Sequence, residues 1–173
     1  AFSEIAVYDY DDALRSHARF EPAVEGETLP IVNVLGMTID EPLAGRVRFE
    51  LEGRALELLA TAAGTDPADG LTVMLRDATS QSGETYGGGR YLEVAAPDAS
   101  GQVTIDFNFA YTPPCAYTNF ATCPLPPPEN ELPVPIRAGE RAPGQGHGAG
   151  SLKRAETSLL LVPSPRWPSD VPM

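Results

Sequence analysis

Apolar and polar positions alternate with a period of two along much of this chain, and almost nowhere do apolar residues recur at helical spacing. In GRVRFELEGRALELLA (45–60), Val47, Phe49 and Leu51 share one face and Arg46, Arg48 and Glu50 the other. Glu52-Gly53 then predicts a tight hairpin turn into a strand near Arg54–Ala60. The same alternation predicts strands at Leu71–Leu75, with Leu71, Val73 and Leu75 inward, and at Val103–Tyr111, with Val103, Ile105, Phe107 and Phe109 inward. Earlier, Leu14, Ser16, Ala18 and Phe20 oppose Arg15, His17 and Arg19. Short strands punctuated by Gly, Pro and Asp predict an all-β domain, an antiparallel sandwich or a barrel-like fold. Only ALELLATAAG (55–64) has residues that favour a competing helix.

Two stretches break the alternation. TSQSGETYGGGR (79–90) reads as a flexible connection, whose three consecutive glycines let the backbone approach a sheet rim or a ligand. No following helix or Gly-Lys-Ser/Thr gives those glycines the context of a phosphate loop. From Pro113 to Pro135 the chain is proline-dense, and proline has no N–H to give a ladder. That segment predicts an extended, polyproline-like strap over the sheet. After Glu140 the composition turns to Gly, Pro and Ser. The expected organisation is therefore a single β-rich domain over 1–140 and a largely unstructured tail over 141–173, with Leu159–Val162 its one candidate strand and Trp167 beside it.

Charge narrows the partners. The chain has 24 acidic and 12 basic residues, a formal −12. Residues 1–140 hold 8 Arg, no Lys and 22 acids, or −14; residues 141–173 hold 4 basic and 2 acidic, or +2. So anionic a surface repels phosphate backbones, which excludes nucleic acid as a main partner. No apolar run approaches the roughly 18 residues of a membrane span. The start, AFSEIAVYDYDD, has acids where a signal peptide carries a basic segment and an apolar core, so the expectation is a cytoplasmic protein without membrane partners.

Three segments carry a resemblance: TYGGGRYL (85–92), DFNFAYTPPCAYTNFATCPLPPPENELPVPIRAGE (106–140) and, more faintly, LRSHARFEP (14–22). Together they resemble a bacterial and archaeal domain of unknown function, DUF family 1684, over most of residues 1–140. The resemblance implies no settled activity. It implies a further β-rich region ahead of this one in other members, so that the chain reads as a fragment or a short form. Where the family commonly has Tyr-Asn-Pro-Pro-Cys, this chain has Tyr111-Thr112-Pro113-Pro114-Cys115, so a role carried by that Asn does not transfer.

The candidate chemistry gathers on the strand that leads into the strap. Alternation puts Thr104, Asp106 and Asn108 opposite the aromatic residues, either as a solvated face or as one wall of a polar cavity. In the cavity reading Arg90 pairs with Asp106, and Asn108, Tyr111 and Cys115 stand near a small-molecule ligand. A purely structural Arg90–Asp106 bridge is the alternative. Cys115 and Cys123 read as a disulfide, as zinc ligands with His17 and His147, as a nucleophile with His17 as base, or as two reduced packing groups. The expectation is free thiols, no metal and no cofactor. Glu129 and Glu140 lie in the same motif, where Glu140 caps a turn or reaches the site. Three functions follow: a small-molecule binding domain, a hydrolase-type enzyme using Asp106 or Cys115, or a structural module. The sequence assigns neither catalytic residues nor oligomeric state.

Overall fold

The computed structural model of the chain describes residues 5–144. The candidate strand at Leu159–Val162 and Trp167 lie outside the described residues. Among these, the chain forms β1 (Arg15–Pro22), β2 (Thr28–Val32), β3 (Thr38–Pro42), β4 (Gly45–Leu51), β5 (Arg54–Ala62), β6 (Leu71–Leu75), helix α1 (Ala78–Ser82), β7 (Arg90–Val94) and β8 (Gln102–Asp106). Six strands make one antiparallel sheet in the order β7-β6-β5-β4-β1-β8, and β2 pairs with β3 in a separate hairpin. The large sheet curls into a half-barrel, as the alternation predicts. Its two ends meet where Tyr91 and Tyr111 exchange backbone hydrogen bonds of 2.8 and 2.9 Å.

Each strand buries its apolar set inward: Ala18 and Phe20, Val47, Phe49 and Leu51, Leu58 and Ala60, Leu71, Val73 and Leu75, Leu92 and Val94, Val103 and Ile105. The β4–β5 turn has Glu52 and Gly53 at φ 51° and 72°, the two positive values a type I′ turn requires. ALELLATAAG is strand through Ala62, because β4 offers its Ala55–Ala60 six consecutive partners; tertiary pairing outweighs local helix preference. The hairpin β2–β3 lays Leu29 and Ile31 on Met74, with Leu59 and Tyr91, and so covers the outer face of the sheet near β6 and β7.

Two sequence readings are corrected. The strand of β8 stops at Asp106, because the Asp106 side chain caps a 3-10 turn over Phe107–Phe109. That turn changes the period from two to three, so Phe107 enters the core beside Phe49 while Phe109 is 68% exposed. Residues 79–90 are no flexible connection either. Asp77 caps α1 in a capping box with Ser80, and Thr79, Ser80 and Thr85 are buried together through their hydroxyls.

The proline-rich segment is indeed a strap in its path. It borders β2, where Leu125 donates to Val32 and Val34 to Cys123, and then reaches β6, where Arg76 and residues 130–132 exchange backbone bonds. Beyond that it does more than cover. Leu132, Val134, Ile136 and Ala138 alternate into the core as a seventh apolar row.

Candidate functional site

Arg90 does not meet Asp106. Its side chain continues the inward row of Leu92 and Val94 and is fully buried. There it pairs with the equally buried Asp77, Nη2 to Oδ2 at 2.7 Å. The same guanidinium donates to the carbonyls of Ile136 (2.9 Å), Ala138 and Glu140 (3.4 Å). The reason is in the local sequence. Residues 132–140 run extended with prolines at 133 and 135, so no ordinary strand ladder serves these carbonyls. Arginine, with five donors in a fixed fork, substitutes for the missing neighbour. Burial pulls its pKa downward and Asp77 opposes that shift.

Asp106 and Asn108 are occupied elsewhere. Asp106 Oδ1 accepts from the Asn108 amide nitrogen at 2.8 Å and from its backbone N–H at 3.1 Å. Its Oδ2 accepts from Tyr10 at 3.1 Å and lies 3.8 Å from Arg15. Asn108 in turn exchanges two 2.9 Å hydrogen bonds with the backbone of Asp11. An asparagine side chain that mimics a paired strand residue fastens the N-terminal segment to the sheet edge. Glu140 ties its own segment to the start of the strap: its Oε2 accepts from the Thr112 N–H at 2.7 Å and from Tyr117 at 3.3 Å. Glu129 is exposed on the 3-10 turn Pro128–Asn130. An open depression of about 350 Å³ contains Thr104, His17 and Asp98 in its wall, but neither Asp106 nor Asn108.

Tyr111 and Cys115, the other two candidates, belong to a different cluster beneath the strap. Tyr111 meets Tyr91 edge to face, ring centroids 5.8 Å apart, and its hydroxyl donates to Glu93 at 3.1 Å. Tyr91 donates to the Pro124 carbonyl at 2.6 Å. The Cys115 backbone N–H points at Cys123 Sγ, 3.2 Å away, and the Cys115 thiol lies 4.0 Å from the Tyr86 hydroxyl. Both cysteines are free. Burial first, then Cys123, pushes the Cys115 thiol up to about 11, so it is held as a thiol and not as the thiolate a nucleophile needs. Burial and the same thiols push Tyr86 up to about 12, against the opposing charge of Arg76. His17 sits across from Thr104 on the β1–β8 ladder and has no side-chain bond to either cysteine.

Arg76 is the residue that the sequence did not single out. It follows β6 in phase with Met74, on the outer face, and its backbone is held on both sides: its N–H donates to Asn130 at 3.0 Å and its carbonyl accepts from Leu132 at 2.8 Å. The side chain is half-buried, and Nε is buried without a partner. No carboxylate among the described residues forms an ion pair with it. A lone arginine after LTVML carries no sequence signal for this, because a missing partner is visible only in three dimensions.

One expected outcome concerns the thiols. In the native protein a bulky disulfide reagent should modify Cys115 slowly and Cys123 hardly at all, and unfolding should expose two reactive thiols. Fast stoichiometric labelling of Cys115 at neutral pH would contradict the buried, protonated state described here.

The family model described as a protein of unknown function (DUF1684) matches residues 1–141. An uncharacterised protein of Haloarcula marismortui, solved by solution NMR, is 33% identical, with a TM-score of 0.62 over 81% of this chain and 77% of that one. A comparison with curated proteins found no match. With nearly all of the described residues inside the family match, this chain belongs to the DUF1684 family.

Proposed function

We propose that the domain binds a small molecule beneath the strap, at the cluster of Arg76, Tyr86 and Cys115, with the Tyr91–Tyr111 pair alongside. Of the earlier candidates, Tyr111 and Cys115 stay with this site, and Arg90, Asp106 and Asn108 serve the fold. One observation carries the reading. Three arginines of the described residues are buried or half-buried: Arg46 pairs with Glu27 at 2.5 Å, Arg90 pairs with Asp77, and Arg76 pairs with nothing. In a chain with twice as many acids as bases, a half-buried arginine that meets no carboxylate and keeps its Nε buried without a hydrogen bond has no structural return among the described residues. Such groups are kept where a ligand completes them. The raised Cys115 thiol and the engaged Asp106 give a hydrolase no nucleophile or base, which favours binding over the enzyme reading.

The test is Arg76→Met, which preserves the stem and removes the charge. With a ligand role, the variant should melt no lower than the unmodified protein when both have been stripped of ligand by unfolding and refolding, and any mass seen by native mass spectrometry on the unmodified protein as purified should be absent from the variant. A melting temperature lower by several degrees would make Arg76 a structural residue and remove the basis of the reading.

A further inference from the structure

We infer that the molecule held at Arg76 is a small organic monoanion, a carboxylate, gripped by the guanidinium with the Tyr86 hydroxyl as second donor. The inference rests on the binding reading above and narrows it to a chemical class. Arg76 Nε is buried without a partner, and no hydrogen bond or ion pair from a described residue meets the rest of its planar fork of N–H donors. Among the described residues the Tyr86 hydroxyl has only the Cys115 sulfur, at 4.0 Å, as a partner. A thiol is a weak acceptor, so the phenol keeps a donor to spend. Its raised pKa keeps that proton on at neutral pH.

A guanidinium that can only donate, beside a phenol with a donor to spare, selects an acceptor-rich ligand. The count of charges selects its valence. Arg76 supplies one positive charge, and the surrounding protein carries a formal −12, so a second or third negative charge on the ligand meets repulsion without compensation. Phosphate and sulfate dianions are therefore poor fits. A monocarboxylate is balanced. The body of the ligand meets aromatic surface, since the Tyr86 ring folds back over Gly88, where a side-chain carbon would collide with it, and Tyr91 and Tyr111 meet edge to face alongside. A planar apolar group on the carboxylate suits that wall better than a methyl.

The experiment is a thermal-shift titration of the full chain at constant ionic strength, with sodium chloride as the baseline and sodium benzoate, sodium acetate and inorganic phosphate as probes. Benzoate should raise the melting temperature saturably, acetate less, and phosphate no more than chloride. Arg76→Met should abolish the shift, Arg76→Lys should keep part of it, and Tyr86→Phe should raise the half-saturating benzoate concentration about tenfold, the value of one hydrogen bond to a charged group. A benzoate shift that survives Arg76→Met, or a phosphate shift larger than benzoate's, overturns the inference. A neutral compound that co-purifies and is lost in Arg76→Met overturns the anion while leaving the binding reading in place. No shift from any probe and no co-purifying mass overturns both.

Discussion

Asp77→Ala should lower the stability of the domain by about 3–5 kcal/mol, the cost of removing one partner of a buried ion pair. Both side chains are fully buried, so the Arg90 charge would be left without either a counter-ion or water. The loss extends to α1, whose Thr79 and Ser80 N–H groups are capped by the same carboxylate. Asp77→Asn separates the two roles: it keeps a capping oxygen and removes the charge, and should fall between Asp77→Ala and the unmodified chain. Arg90→Met should match or exceed Asp77→Ala, because it strands the carboxylate and the carbonyls of Ile136, Ala138 and Glu140 together. Urea midpoints at unchanged slope would measure each difference. A loss below about 1 kcal/mol for Asp77→Ala would mean that water reaches the pair and that the core is open at this end.

Strand phase decides that Arg90 pairs with Asp77 and not with Asp106. The motif density around Arg90 marks it correctly as a special residue, and strand phase then excludes its expected partner. Arg90 shares a face with Leu92 and Val94, which are buried, whereas Asp106 is out of phase with the buried Ile105. The true partner was readable as a cap: Asp77 stands three residues before Ser80, the spacing of a capping box, but the glycines that follow make the stretch look loose. Strands β1, β4, β6 and β8 were legible because period two survives wherever one face is core. The row Leu132, Val134, Ile136, Ala138 obeys the same period and was hidden by Pro133 and Pro135, which deny the segment a ladder without denying it a buried face. Arg76 and Asn130 were illegible for another reason. Their roles depend on what distant backbone leaves unpaired, and no local pattern encodes that.

Asn130→Ala should cost about 3 kcal/mol, with a loss of hydrogen-exchange protection at the Leu59 amide. Strands β5 and β6 pair only through Thr61–Thr72 and Ala62–Leu71, and then diverge. In the gap, the Asn130 amide takes the place of the absent ladder: it donates to the carbonyls of Leu59 at 2.9 Å and Met74 at 2.7 Å, and accepts from the Leu59 N–H at 2.7 Å. It is 1% exposed, so truncation leaves three backbone groups unpaired, each worth about 1–3 kcal/mol when water cannot replace the partner. Entry of one water into the space left by the side chain would hold the total near the lower end. Asn130→Asp should be at least as damaging, since a carboxylate has no N–H for the two carbonyls. The substitution also bears on the site, because Arg76 donates its N–H to the Asn130 carbonyl, and loosening the strap there should weaken benzoate binding before the domain unfolds. Retention of Leu59 protection in Asn130→Ala, with a midpoint within 1 kcal/mol of the unmodified protein, would show that the strap is held by its prolines and apolar row alone.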